Sequence, residues 1–514
     1  MQTQIIEING KSLTIDLIHY VATHNDVKVT ISEEVKKKIA KSRELVEKKV
    51  ENQEVVYGLT TGFGEFKNKT ISKEQTEELQ KNLIISHSIG TGEAFKEEII
   101  RAATLVRANS LVNGFSGIRL STIEAMLDII NHNVYAYVPS KGSVGASGDL
   151  APLSHLVACR MGYGEAYKGG KRIDSKIYLQ EIGLSPLVLS SKEGLALNNG
   201  TSFMAGISAL NLYKAEKLIK LSDIAYSMTL EACMGTVTAC DHKVHDCRPH
   251  NGQIRTAENV RRLCNSSEIM ESHKNCGRVQ DSYSLRCTPQ VHGAVKDSYN
   301  HVKSVIVTEI NSTTDNPLVF PDDDQVISAG NFHGEPIALV MDFLGIAISE
   351  LANISDRRIF KMLSPHLSEG LPAFLIDEDK GGLNNGLMIA QYTTAALLAE
   401  NKVLAHPASV DSIPTSADQE DHVSMGMTSS NKATQILSNV EDVLSVELMC
   451  AAQALDYKAP NAPGIGSKEA YKTVREKLSH LDNDRVLYKD LEITKELLSD
   501  IITNVEKRIG EIQI

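Results

Sequence analysis

Residues 142–156 carry the chemistry that ordinary structure explains least well. The run Gly142-Ser143-Val144-Gly145-Ala146-Ser147-Gly148-Asp149-Leu150 sets Ala-Ser-Gly among small residues, with one acid directly after it. If the fold bends this loop tightly, the backbone nitrogen of Gly148 can attack the carbonyl carbon of Ala146. Loss of two waters then closes a five-membered ring. Ser147 becomes a 2,3-didehydroalanine inside a 5-imidazolinone cross-link between Ala146 and Gly148. The product is an electrophile, which no natural side chain supplies and for which enzymes usually recruit a cofactor. The tripeptide alone is common, so an uncyclised loop is the plain alternative.

Other polar clusters sit where a purely structural segment has no need of them. Tyr57-Gly58-Leu59-Thr60-Thr61-Gly62-Phe63-Gly64 is a Gly/Thr loop, but it lacks the further glycine and the lysine of a phosphate-binding loop. Gln80, Asn82, Ser86 and His87 punctuate an apolar segment, and a satisfied core histidine is the ordinary reading of His87. Asn198-Asn199-Gly200-Thr201 reads as a helix start with a capping side chain. In Gln280-Asp281-Ser282-Tyr283-Ser284-Leu285-Arg286, Tyr283 and Arg286 share a face if the segment is helical. Arg286 can grip a carboxylate through two parallel hydrogen bonds, whether of a substrate or of its own fold. The stretch 309–317 reads as a helix end and turn. Gln419-Glu420-Asp421-His422 crowds acids and an imidazole together, which is ordinary on a surface. Cys240-x-His242-x-x-His245-x-Cys247-x-x-His250 offers zinc-ligating types without any usual zinc spacing, so no metal is expected.

These residues need a scaffold, and the chain is long enough to build one. Its 514 residues suffice for about two to four domains by length. A hydrophobic share of 42% and a charged share of 23% are those of a soluble globular protein. The net charge of -12 argues against nucleic acid or an anionic membrane as the partner. The N-terminus shows no basic region followed by an apolar core, and the eight cysteines form no CxxC pair. Both features point to a cytoplasmic location.

Ile6 and Ile8 alternate into Asn9-Gly10, and Leu13 and Ile15 alternate out, which predicts a hairpin. Helical periodicity follows over 31–52 and 94–130, while 131–205 reads as loops and short strands, rich in Gly, Ser and Pro. Long helices are expected from about 205, then near 288–312, 334–365, 385–405 and 430–456. The apolar run 337–348 is broken by Asp342 and reads as a core helix, not a membrane span. The expected organisation is a domain over 1–204 that carries the electrophile loop and mixes helix with strand. A domain over 205–514 follows, a mainly α central and C-terminal helical bundle.

Taken together, the motifs resemble those of the aromatic amino-acid ammonia-lyases, the family of phenylalanine ammonia-lyase and histidase. The matching stretches are 57–64, 82–87, 142–156, 199–201, 278–287, Gly330-Asn331-Phe332-His333-Gly334-Glu335-Pro336, 409–416 and 419–425. The resemblance implies a mainly α fold of fumarase/aspartase type. It implies a homotetramer whose active sites each draw on three chains. It also implies the ring described above, 4-methylidene-imidazol-5-one, formed without any external cofactor.

By the same resemblance Tyr57 matches the proposed base for the substrate's β-proton. A tyrosine hydroxyl ordinarily ionises near pH 10, so that role needs neighbours that lower it. Arg286 matches the residue that holds the substrate carboxylate. Asn199, Gln280 and Tyr283 match residues that position the amine and the electrophile. Phe332 matches a position beside the ring, and Asp149 directly follows the ring, placed to assist its closure. The substrate reading rests on His87 and Glu420, since both can hydrogen-bond an imidazole. Relatives acting on phenylalanine or tyrosine carry other residues there. The activity implied is elimination of ammonia from L-histidine to give trans-urocanate, the first step of histidine degradation to glutamate.

Ser282, Thr288, His292, Asp418 and Asn198 depart from the family pattern, and none removes a named role. Two other readings compete. One is an aminomutase or tyrosine lyase using the same ring, and the other is a helical assembly protein whose loop never cyclises.

Overall fold

The computed structural model describes residues 4–62, 71 and 75–514, and helix dominates among them. The first element departs from the hairpin expectation. Strand Gln4–Ile8 pairs in parallel with Val27–Ile31, and helix Ile15–Thr23 connects them. The reason lies in two side chains. Asn9 Oδ1 accepts from Lys11 N–H and the Ser12 hydroxyl, both at 2.9 Å, which folds Asn9-Gly10 into an Asx turn and not a hairpin turn. Thr14 then caps the helix by accepting Leu17 N–H at 3.1 Å, and Ile15, Ile18, Val21 and Ala22 form its buried face.

The chain forms two compact units. The first comprises Met1–Tyr213, Lys303–Asp342 and Pro407–Asn431. Its centre is helix Glu97–Leu111, in which every residue from Ile100 to Leu111 is buried. A helix buried all round must satisfy any charge it carries. Arg101 does so by donating to the carbonyls of Val21, Ile130 and His24 and to Asn133 Oδ1. It thereby ties together the ends of helices Ile15–Thr23 and Leu120–Asn131.

Stretch 131–205 holds more helix than its composition suggests, namely Leu150–Arg160, Ser175–Glu181 and Glu193–Asn198. Pro152 lies in the first turn of its helix, where no N–H is required.

The second unit comprises Lys214–Val302, Phe343–His406 and Lys432–Ile514. The expected long helices are present as Ser202–Ala232, Thr288–Glu309, Glu335–Leu363, Met388–Leu404 and Gly426–Asp456. Within this unit, four of them are joined by buried charges. Asp223 accepts from His292 Nδ1 at 2.8 Å and Lys296 Nζ at 2.7 Å. Glu447 accepts from Arg358 Nε and Nη2 at 2.5 and 2.8 Å, from Thr229 at 2.9 Å and from Ser355 at 2.6 Å. Removing one partner of such a pair strands a buried charge, at about 3–5 kcal/mol. The network therefore fixes the register of the helices. Helix Glu335–Leu363 is long and apolar enough to cross a membrane, but it is mostly buried in the fold. Its Asp342 accepts from Ala408 N–H, Ser409 N–H and the Ser429 hydroxyl, all within the first unit.

Candidate active site

The loop that opened the sequence reading is bent and held from behind. Gly148 has φ +74° and bridges Gly200, whose φ is +138°. Asp149 N–H donates to the Gly200 carbonyl at 2.7 Å, and Gly200 N–H donates to the Ser147 carbonyl at 3.1 Å. A Cβ on Gly148 would lie 2.1 Å from the Gly200 oxygen, so only glycine permits this approach. On the other flank, Met425 N–H donates to the Val144 carbonyl at 2.9 Å, and the Ser424 hydroxyl donates to that of Gly145 at 3.3 Å.

Directly behind the loop, Asp149 is fully buried. Burial pushes its carboxyl up to about 7. The N–H groups of Met204 and Phe203, the Ser143 hydroxyl and the Arg107 charge pull the other way. An acid that titrates near neutrality can both take and give a proton at physiological pH.

The Ser147 hydroxyl donates to Glu420 Oε1 at 2.7 Å. Glu420 is half-buried, and its other oxygen accepts from the Thr415 hydroxyl at 3.2 Å. Paired backbone bonds between Thr415 and Glu420 hold that segment. His87, at the end of helix Thr76–His87, meets Ser86 Oγ through Nδ1 at 3.0 Å. Burial lowers its pKa, while the Leu83 carbonyl and the Glu420 charge raise it. The structure thus brings Ser147, Glu420 and His87 into one electrostatic neighbourhood.

Asn199 ends helix Glu193–Asn198, and its Oδ1 is buried without a hydrogen-bond partner among the described residues. Such an atom is costly unless something else engages it. Thr201 donates to Glu309 Oε1 at 2.5 Å, and burial raises the Glu309 carboxyl.

Sequence reasoning missed the cations that back this segment, because isolated Arg and Lys residues in a helical pattern carry no positional signal. Arg107 is buried and donates to the carbonyls of Ala196 and Thr314. Lys192 Nζ donates to Asp315 Oδ2 at 2.7 Å, with both side chains fully buried.

Tyr57 is half-buried in a turn. That turn is anchored by Leu59, which packs with Leu45, Val46 and Val319. Phe63 and Gly64 of the same motif lie outside the described residues. Phe332 is half-buried in the turn before helix Glu335–Leu363.

Gln280, Tyr283 and Arg286 belong to the second unit. The expected helical spacing holds, since Tyr283–Arg286 is a short helix and the Arg286 guanidinium sits 4.5 Å from the Tyr283 ring centroid. Arg286 and Gln280 line a cavity of about 830 Å³ within this unit, together with Arg261, Arg278, Asp281 and His273. Arg286 Nε is buried and has no hydrogen-bond partner among the described residues, leaving a donor for an incoming acceptor. In the Cys/His stretch, His245 is occupied on both ring nitrogens, by the Ala239 carbonyl and Gln253. Burial pushes the Cys240 thiol up to about 12.

Comparison with known proteins adds a family. Residues 13–476 match the family model described as aromatic amino acid lyase. A histidine ammonia-lyase of Alkaliphilus metalliredigens is 51% identical over 507 residues, covering 98% of this chain and 99% of that protein. The crystal structure of histidine ammonia-lyase from Trypanosoma cruzi superposes with a TM-score of 0.91 at 40% identity, covering 98% of this chain and 95% of that one. A tyrosine aminomutase from Streptomyces globisporus superposes with a TM-score of 0.92 at 36% identity, covering 99% of each chain.

Proposed function

Because this chain belongs to the aromatic amino acid lyase family, we propose that it eliminates ammonia from L-histidine to give trans-urocanate, the first step of histidine degradation to glutamate. The mainly helical fold and the identity to histidine ammonia-lyases support a carbon–nitrogen lyase. The observation that carries the substrate reading is Glu420, whose carboxylate lies beside the Ser147 hydroxyl and within electrostatic reach of His87. A carboxylate and an imidazole together can engage the N–H and the bare nitrogen of a substrate imidazole. A site built for such bonds rejects substrates lacking them, by up to about four to five orders of magnitude.

Ala146, Ser147 and Gly148 fit the precursor of a 4-methylidene-imidazol-5-one. Gly148 has the left-handed backbone and the close approach to Gly200 that a tight bend demands. Closure joins Gly148 N to the Ala146 carbonyl carbon. One water leaves with that carbonyl oxygen, and a second with the Ser147 hydroxyl and its α-hydrogen. Asp149, next in the chain and with its carboxyl raised to about 7, is an acid–base group beside the loop. Once formed, the ring supplies an electrophilic carbon that turns the substrate's α-amine into a better leaving group.

The remaining roles follow the family motifs. Tyr57 takes the β-proton. Arg286 pairs with the substrate carboxylate, which its free buried Nε supports. Asn199, Gln280 and Tyr283 position the amine and the electrophile, with the unengaged Asn199 Oδ1 as a ready acceptor. Phe332 packs beside the ring, and His87 and Glu420 bind the imidazole.

The assembly we propose is a homotetramer with shared sites, in the cytoplasm. Helix Met388–Leu404 supports self-association, since its only buried residues are Thr394 and Asn401, while Ile389, Tyr392 and Val403 face outward.

Ser147→Ala tests the reading. The variant is expected to keep its helical content, to stay at its encoded mass, and to form no urocanate from histidine. Turnover at the wild-type rate by that variant would overturn it.

A further inference from the structure

The turn that carries Phe332 continues through His333 and Gly334 to Glu335, the first residue of helix Glu335–Leu363. The segment that carries Glu420 passes beside it. One ligating atom from each of His333, Glu335 and His422 lies within 4.8 Å of the other two. The two imidazole centroids are 5.6 Å apart. Glu335 Oε2 is buried and has no hydrogen-bond partner among the described residues. A buried carboxylate oxygen without a donor is expensive, and it calls for positive charge at that point. The His333 imidazole is only loosely engaged. His333 Nδ1 accepts from Glu335 N–H at 3.3 Å, and Nε2 faces the His422 carbonyl at 3.4 Å, both long for hydrogen bonds.

We propose that His333, Glu335 and His422 form a divalent-cation site of the two-histidine, one-carboxylate class, suited to zinc. Three points no more than 4.8 Å apart lie within about 2.8 Å of a common centre, against about 2.0–2.2 Å for zinc bonds to imidazole and carboxylate. Reaching bonding distance takes a shift of no more than about 0.8 Å per donor. Two nitrogen donors disfavour calcium and magnesium, which take oxygen ligands.

The backbone that presents the ligands is already fixed. A Cβ on Gly334 would lie 2.7 Å from Met204 Sδ and 2.8 Å from Ser424 Oγ, and one on Gly426 would lie 2.7 Å from the same sulfur. Both segments are thus pressed against one methionine side chain. Val423 N–H adds a bond to Ser412 Oγ at 3.0 Å. Three protein ligands leave a fourth position open, and exposed His422 gives an entry path. A bound cation would tie the segment holding Phe332 to the segment holding Glu420. The expectation of no metal concerned the stretch from Cys240 to His250; these three ligands come from segments far apart in the chain.

The test is zinc titration of the metal-stripped full-length protein by calorimetry, alongside His422→Ala and Glu335→Gln. Wild type is expected to bind one more equivalent per chain than His422→Ala. Glu335→Gln, which preserves volume, is expected to weaken that site by more than the roughly 10–100-fold seen for outer-shell partners. Cobalt in place of zinc separates this site from surface thiols such as Cys247 and Cys276, because nitrogen and oxygen ligands give visible bands without thiolate charge transfer. Equal stoichiometry and affinity in all three proteins, or a cobalt spectrum dominated by thiolate, would overturn the proposal. The same titration on Ser147→Ala is expected to match wild type, so the outcome is independent of the reaction assigned above.

Discussion

Gly148→Ala perturbs the electrophile loop at its tightest point. With φ at +74°, an added Cβ lands 2.1 Å from the Gly200 carbonyl oxygen and 2.3 Å from its carbon. The left-handed conformation alone costs an alanine about 1–2 kcal/mol. The collision is with backbone, so relief requires the pairing of Gly148 with Gly200 to open. That breaks the bonds from Asp149 N–H to the Gly200 carbonyl, 2.7 Å, and from Gly200 N–H to the Ser147 carbonyl, 3.1 Å. Losing each of these two buried bonds costs about 1–3 kcal/mol, which with the conformational cost puts the total near 3–8 kcal/mol within one loop. Gly170→Ala is the control, since φ there is +77° and nothing among the described residues lies within 4 Å of an added Cβ. Only the conformational cost applies to it. Intact mass, thermal unfolding and histidine turnover are measured on wild type and both variants. Wild type and Gly170→Ala are expected about 36 Da below their encoded mass, the loss of two waters. Gly148→Ala is expected at its encoded mass, inactive, and less stable than Gly170→Ala. A Gly148→Ala protein that had lost two waters, turned over histidine and matched the control in stability would refute the reasoning.

Two further outcomes follow from named groups. Arg286→Ala is expected to raise KM for histidine about 10- to 150-fold with a smaller change in kcat, from the roughly 1.5–3 kcal/mol of a charge-assisted bond; an unchanged KM would remove the carboxylate role. Asp149 has a folded pKa raised from 3.8 to about 7, so the folded state holds its proton more tightly than the unfolded chain. Its contribution to stability is therefore lost as pH rises from about 4 through 7, by up to about 4 kcal/mol at full ionisation. Asp149→Asn should flatten that loss, which denaturant unfolding from pH 4 to 8 reads out, and stability curves that run parallel for the two proteins would contradict the burial argument.

The long helices were legible because their apolar positions repeat at helical spacing over many turns. Helices Thr288–Glu309, Glu335–Leu363 and Gly426–Asp456 lie close to where periodicity put them. The N-terminal strand was found but its partner was not. Asn9-Gly10 has the composition of a hairpin turn, and only the Thr14 cap and the helical stripe after it distinguish the alternative. Helices Leu150–Arg160, Ser175–Glu181 and Glu193–Asn198 were hidden by Pro152, Ser175 and Gly194, which lie in their first turns. At the site, the loop 142–149 stood out because its tripeptide has a specific chemistry. Arg107 and Lys192 were invisible, and Asp315 read only as part of a turn, because their importance comes from complete burial, which no local pattern encodes. His333, Glu335 and His422 were printed in the matching motifs, yet only the fold brings their ligating atoms together.

The central claim is elimination from histidine in particular. It is tested by incubating the wild-type protein with L-histidine, L-tyrosine and L-phenylalanine in parallel and identifying every product. The account predicts ammonia and trans-urocanate from histidine, with no β-amino acid and with turnover of the other two lower by orders of magnitude. Comparable turnover of tyrosine, or a β-amino acid as the main product, would contradict it.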